Sequence, residues 1–270
     1  MGFLVDIGQT FNFHDSKPLI NYIKKHGILQ FLHLYQKFKD LQQETLFWGD
    51  EIEFHLLNMD STSKTPRLQT NTEAIFLSLS SESDFCLQPE FGSWMIEAVP
   101  AKPYEFNGDP LQVFHNMNVR RAKINSMCRE GDILFSGTAF PLLGVGDYYV
   151  PNVNRRKECG DVMKENPFSN SQFVHDEIIN SHPRFPTNVE NIRQRRGEKM
   201  CILMPIYKDE KTSMEPTSQE PCPGYIYMDA LHFGMGSGCL QVTFGAKNID
   251  EARYLTDQLA VLSSIMVRFY

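Results

Sequence analysis

Apolar residues recur at helical spacing near both ends of the chain and alternate at strand spacing between them. Residues 17–40 read as two helices broken near Gly27, with Ile28, Phe31, Leu32, Tyr35 and Phe38 on one side. WGDEIEFHLL, residues 48–57, reads as a strand, residues 72–79 as a short helix, and WMIEAV, residues 94–99, as a second strand. Asp109-Pro110 pairs a capping residue with proline at the first helical position. The helix it opens carries Leu111, Phe114, Met117, Ile124 and Met127 and stops near Gly131. Residues 133–138 predict another strand, and KMCILMPIY, residues 199–207, a buried one. YIYMDALHF and CLQVTFGA read as two strands joined through Gly234–Gly238 as a hairpin. A last helix begins at Asn248–Asp250, with Ala252, Leu255, Leu259, Leu262 and Met266 on its apolar side.

Two stretches lack clear periodicity. Residues 141–198, rich in Pro, Asn, Arg and Glu, predict a long functional loop or a mobile excursion, and residues 208–223 a polar, Pro-rich loop. There is no internal repeat. Strands come in groups with helices between them, without regular βαβ alternation, so the expected class is α+β with a largely antiparallel sheet, in a single unit over residues 1–270.

Composition narrows the function classes. Of the 270 residues 41% are hydrophobic and 22% charged, ordinary globular values. A net charge of −7 argues against a general nucleic-acid binder. It leaves a small anionic substrate open, because a local pocket can oppose the global sign. Cys86, Cys128, Cys159, Cys201, Cys222 and Cys239 form no CxxC and no paired metal-ligand spacing, which reads as reduced thiols. MGFLVDIGQT has no secretory pattern, Asp6 stands where a myristoylation signal needs Ser or Thr, and no apolar run spans a bilayer. The expectation is a soluble cytoplasmic protein with no membrane and no nucleic-acid partner.

The candidate chemistry is acidic. Alternate side chains of a strand share a face, so Glu51 and Glu53 point the same way, and Ile52 and Phe54 the other. Two such carboxylates repel each other and are tolerable if solvated, or if a cation sits between them. PEFGSWMIEAVP adds Glu90 and Glu97. Glu97 stands within an apolar strand pattern, where a glutamate is costly unless it is paired, metal-bound or half exposed. Oxygen-only ligands of this kind suit Mg²⁺ rather than structural zinc. In CLQVTFGA, Cys239, Gln241 and Thr243 share a polar face, with Leu240, Val242 and Phe244 on an apolar core face. Gln241 can place an oxygen on a cation or a donor on a carboxylate, or it is part of an ordinary amphipathic strand. Arg120 and Arg121 on the predicted helix, and Arg193, Arg195 and Arg196 in the long loop, could steer anions, but read better as solvated or ion-paired.

HGILQFLHLY, WGDEIEF, PEFGSWMIEAVP, HPRFPTNVENIRQRRGEKM, YIYMDALHFGMGSGCLQVTF and EARYLTDQLA occur in order from about residue 26 to about residue 260. In that order they resemble the successive signature blocks of eukaryotic glutamate–cysteine ligase, N-terminal part. The resemblance implies a glutamine-synthetase-like fold, a curved antiparallel sheet forming a funnel with helices outside. It implies magnesium, bound by Glu51, Glu53, Glu90, Glu97 and Gln241, and ATP as co-substrate. Met235 and Cys239 match side chains that line the family's glutamate pocket. The implied reaction joins the γ-carboxyl of glutamate to cysteine through γ-glutamyl phosphate, the first step of glutathione synthesis, with a modifier subunit as a further partner.

Two departures stand out. Phe140-Pro141-Leu142-Leu143-Gly144 lacks an arginine the family carries there, and Ser237-Gly238 replaces the family's Asn-Cys. Further family groups for metal, ATP and glutamate lie beyond the matching stretch, so these 270 residues alone are expected to be inactive. The alternative expectation is a non-catalytic binding or regulatory module of the same family. A glycosidase with paired carboxylates is a remote third.

Overall fold

A strand of 13 residues, Phe47–Met59 (β1), is the axis on which most of the sheet is assembled. The computed structural model describes residues 10–62, 64–152, 166–212 and 222–266. Ahead of β1 come the short helix Phe13–Ser16 (α1), a 3-10 turn at Lys17–Leu19 and the helix Ile20–Phe38 (α2). After it follow Pro66–Gln69 (β2), Glu73–Ser78 (α3), Phe85–Pro89 (β3), Met95–Pro100 (β4), Tyr104–Glu105 (β5) and Pro110–Ser126 (α4). Then come Asp132–Phe135 (β6), Tyr149–Val150 (β7), a 3-10 turn at Asp176–Ile178, Arg184–Arg196 (α5) and Ile202–Pro205 (β8). Tyr225–Met228 (β9), His232–Met235 (α6), Leu240–Gly245 (β10) and Ile249–Met266 (α7) complete the described chain.

β1 is long enough to take different partners along each edge. One edge pairs with β10 over Phe47–Ile52 and then with β6 over His55–Asn58. The opposite edge pairs with β5 at Phe47–Trp48, β4 at Ile52–His55 and β2 at Leu57–Met59. Between Trp48 and Ile52 that second edge leaves its ladder. All five pairings are antiparallel, and β3 joins β4 antiparallel, but β7 runs parallel to β2. The eight-stranded sheet is therefore mixed and mostly antiparallel, within an α+β architecture.

The pleat sorts the two faces. Phe54 and Leu56 of β1 and Ile96 and Ala98 of β4 lie buried with Ile75 of α3, Ile124 of α4 and Leu134 of β6. A second core gathers Leu57, Leu68, Trp94, Met95, Tyr148, Val174 and Ile178. A third, of Phe91, Ile179, Phe185 and Val189, seats α5 beside the β3–β4 connection. Trp94 is fully buried, and its ring occupies the space that a Cβ on Gly92 or Gly236 would need. Both positions therefore favour glycine.

Several expectations need correction. Gly27 does not break the first helical segment, because one interior glycine costs only about 1 kcal/mol relative to alanine, and Ile20–Phe38 is continuous. The stretch 141–198 is not all loop: it holds α5, and Val174, Ile178 and Ile179 are buried. β8 is exposed at every residue, since among the described residues it pairs only with β9, in a separate two-stranded sheet. β9 and β10 are no hairpin, because α6 stands between them and they belong to different sheets. Leu240, Val242 and Phe244 are exposed rather than core. On α4, Leu111 and Phe114 are exposed, and the buried residues are Arg120 and Ile124. Residues 153–165, with Cys159, and 213–221 lie outside the described residues, as do the N-terminal residues 1–9. Among the described residues, no helix is long and apolar enough to cross a membrane, and Cys86, Cys128, Cys201, Cys222 and Cys239 are free thiols.

Burial sets a direct expectation. Ile96 is fully buried, and Ile96→Ala should cost about 2–5 kcal/mol in urea unfolding. Leu111 is 70% exposed, and Leu111→Ala should change stability by less than about 0.5 kcal/mol.

Candidate functional site

The register of the sheet brings the acidic residues together. Glu53 of β1 lies directly opposite Glu97 of β4. Glu51 lies opposite Gln241 of β10 on the other edge of the same strand. Glu90 follows β3, whose Gln88 pairs with Glu97, so the turn out of β3 carries Glu90 to the same cluster. Glu53, Glu90 and Glu97 are all buried, and each offers an oxygen within 4.8 Å of the others.

Hydrogen bonds fix one member firmly. Gln241 Nε2 donates to Glu53 Oε1 at 2.7 Å, and the Cys239 amide donates to Glu53 Oε2 at 3.0 Å. The Glu53 amide in turn donates to the Cys239 carbonyl at 3.0 Å. This pairing depends on Gly238, where a Cβ would stand 2.8 Å from the Gly137 carbonyl oxygen and 2.9 Å from His55 Nε2. Glu90 accepts a bond from the Phe91 amide at 3.2 Å. One oxygen of Glu51 and one of Glu97 are buried with no partner among the described residues.

Such crowding has a titration consequence. Burial, then the Glu53 and Glu97 carboxylates, push Glu90 up to about 8. Glu97 is also raised, by burial first and by Glu51 next. Without a cation the cluster therefore holds protons near neutral pH. Its donor set is oxygen only, with orphaned carboxylate oxygens, which fits a hard divalent cation. Glu53, Glu90 and Glu97 are the residues that could hold it. Glu51 and Gln241 border them through the strand register. Gln241 spends its amide nitrogen on Glu53, which leaves its oxygen as the atom that could face a cation.

The remaining sequence candidates fall in distinct places. Met235 ends α6 and packs beside Phe91, Ile179, Phe185 and Val189, and Asn188 Nδ2 lies 3.9 Å from its sulfur. Cys239 is exposed, one residue before β10. Desolvation by the surrounding protein, then the Glu53 carboxylate, push its thiol up to about 12, so it is a poor nucleophile. Of the arginines, Arg121 and Arg195 are exposed. Arg193 donates to the carbonyls of Phe168 and Pro167, and Arg196 lies 3.6 Å from Glu198. Arg120 is buried and ion-paired with Asp50.

Two residues of the same strand went unmarked in the sequence. His55 continues the face of Glu51 and Glu53 and is fully buried, with neither ring nitrogen partnered among the described residues and its pKa lowered to about 4 by burial. Strand parity alone would have placed it there. Asp50 lies on the reverse face, and its role needed the packing of α4 to become visible.

A cavity of about 650 Å³ opens beside the cluster, where β1 leaves its ladder between β5 and β4. Its walls include Trp48, Glu51, Gln88, Glu90, Glu97 and Pro103. A smaller pocket, of about 400 Å³, lies around α5 and Lys199, away from the carboxylate cluster.

Known proteins resemble the chain along nearly its whole length. The family model described as "Glutamate-cysteine ligase" matches residues 2–269. The chain is 39% identical to the glutamate–cysteine ligase catalytic subunit of Homo sapiens over 285 residues, covering 98% of this chain and 43% of that protein. It is 35% identical to glutamate–cysteine ligase of Candida albicans, covering 98% and 41%, and 34% identical to that of Saccharomyces cerevisiae, covering 98% and 43%. The chain thus spans less than half the length of these relatives.

The pH expectation follows from Glu90. Its value in the fold, about 8, stands above 4.5, so its protonated form is favoured by folding. That contribution is complete below about 4.5 and is lost as pH rises toward about 8. In a chelator, the Tm should therefore fall over this range, and Glu90→Gln should flatten the slope. A Tm that rises steadily with pH in wild type would contradict the assignment.

Proposed function

The chain belongs to the glutamate–cysteine ligase family, and on that premise we propose that its carboxylate cluster is the magnesium-binding part of a site that joins glutamate to cysteine at the expense of ATP. The observation that carries this reading is the meeting of Glu53, Glu90 and Glu97, three buried carboxylates with oxygens within 4.8 Å of one another. An anionic trio of this kind is stable at neutral pH only with protons or cations, and hard oxygen donors select Mg²⁺. Glu51 and Gln241 complete the proposed ligand set.

In this reading the γ-carboxylate of glutamate attacks the γ-phosphorus of ATP to give γ-glutamyl phosphate and ADP. The amine of cysteine then displaces phosphate and forms the amide. Magnesium, when bound, supplies charge neutralisation for the transferring phosphoryl group. The chain's own residues do the positioning. Glu53, fixed by Gln241 and the Cys239 amide, sets the place of the cation-binding oxygens. The cavity bounded by Trp48, Gln88 and Pro103 lies beside them and has room for part of a nucleotide. Met235 and Cys239 serve as walls for the glutamate, and a thiol held in its protonated form suits a wall. A glutamine-synthetase-like funnel, a modifier subunit as partner and a cytoplasmic location belong to the same proposal.

A second reading, a binding or regulatory module without turnover, is favoured by the apolar rows left exposed on α2, β10 and α7, such as Phe31, Val242 and Leu262. Product detection separates the two.

Titration of wild type with MgATP should show binding that disappears in a chelator. Glu53→Gln and Glu97→Gln keep size but remove charge, and should each weaken Mg²⁺-dependent binding at least about tenfold. Any Mg²⁺-dependent formation of γ-glutamylcysteine, followed by mass, should fall about a hundredfold or more in both variants. Wild-type binding and product in both would sink the proposal.

A further inference from the structure

The ladder between β1 and its neighbours is open just behind the carboxylates. Trp48 is the last residue paired to β5, and Ile52 the first paired to β4. Over Gly49–Glu51 no backbone pairing holds β1 to that edge, yet Glu51 must keep its place relative to Glu97. The reverse face of the sheet supplies the missing connection. Asp50 alternates with Glu51 and so points away from the cluster. There it meets Arg120 of α4, whose side chain is completely buried, while that of Asp50 is 2% exposed.

The guanidinium of Arg120 makes two bonds in two directions. Nη2 donates to Asp50 Oδ2, in a charge-assisted bond. Nη1 donates to the Ala98 carbonyl at 2.6 Å. Asp50 precedes Glu51, and Ala98 follows Glu97. One planar, rigid group therefore ties the residue next to one acidic side chain, inside the opening, to the residue next to another, where the β1–β4 ladder begins. Arg120 is the largest group α4 buries, and the only other buried residue of that helix is Ile124.

We propose that Arg120 and Asp50 form a positioning pair that fixes the unpaired Gly49–Glu51 stretch of β1 against β4 beside the carboxylate cluster, and so sets its affinity for a divalent cation. Asp50 borders the cavity beside the cluster, but the pair makes no hydrogen bond to its carboxylates. It acts through the backbone, by anchoring the unpaired stretch Gly49–Glu51 to Ala98, where the paired ladder that holds Glu97 begins. This deepens the metal reading above and rests on it. It also explains why a buried ion pair is present at all. Such a pair gives little net stability compared with apolar residues of similar size, so its worth lies in the geometry it imposes.

That contrast provides the test. A single Arg120→Ala change would leave the Asp50 charge buried and unpaired and would threaten the fold itself. The double variant Asp50→Leu/Arg120→Met removes both charges and keeps volume. Mn²⁺ serves as the probe, with its binding to residues 1–270 followed by the loss of the free-ion paramagnetic resonance signal. The double variant should melt near the wild-type temperature while its Kd for Mn²⁺ rises at least about tenfold, the usual scale for groups that orient metal ligands. Arg121→Ala, at an exposed position one residue along α4, should leave the Kd unchanged. Arg120→Lys keeps the charge but not the rigid fork, and should fall between wild type and the double variant. A folded double variant with wild-type affinity would overturn the proposal, and so would a double variant that does not fold, since the pair would then be a stabiliser only. Absence of Mn²⁺ binding by wild type would instead overturn the metal reading, and this proposal with it.

Discussion

Buried like charges must be compensated, and in this chain that requirement falls on three glutamates that the sheet forces together. Two unit charges about 4 Å apart repel by about 4 kcal/mol at the effective dielectric typical of proteins. Glu53, Glu90 and Glu97 meet this condition pairwise, with Glu51 adding its field to Glu97. The protein answers the repulsion in part with hydrogen bonds to Glu53 and in part with protons, Glu90 being pushed up to about 8. A cation answers it more fully, because it attracts every carboxylate at once.

The rest of the fold can be understood as the means of imposing that arrangement. β1 is long because it must offer Glu51 to β10 and Glu53 to β4. Gly238 lets β10 approach close enough for the Cys239 amide to reach Glu53. Behind the sheet, apolar side chains of β1 and β4 pack with α3 and α4, which makes the reverse face a rigid backing. Cost and support thus occupy opposite faces of the same two strands, and Arg120 reaches through from the helix layer to the strand edges.

Much of this could be read from the chain itself. Period-two alternation located Glu51 and Glu53 on one face, and the apolar frame of MIEAV marked Glu97 as unusual. The helix after Asp109 began where its cap said, with the Asp109 side chain accepting from the Leu111 amide at 2.9 Å. Other features depend on tertiary partners that spacing does not carry. Arg120 appears on the helix as one of two adjacent arginines, and only the packing of α4 on the sheet separates it from Arg121. The glycines from 234 to 238 carried the composition of a turn, but Gly236 makes room for the Trp94 ring and Gly238 for His55, and no hairpin forms. Leu240, Val242 and Phe244 have the pattern of a core strand, and the layer that would make them one is not among the described residues.

Crystals of the chain grown at about pH 8 and soaked in Mn²⁺ would locate the cation by its anomalous scattering. The expected result is a peak between Glu53, Glu90 and Glu97, with carboxylate oxygens at roughly 2.0–2.3 Å, near the distances of octahedral Mg²⁺. Peaks only at exposed acidic residues, with these three carboxylates still bonded to one another, would contradict a metal centre here.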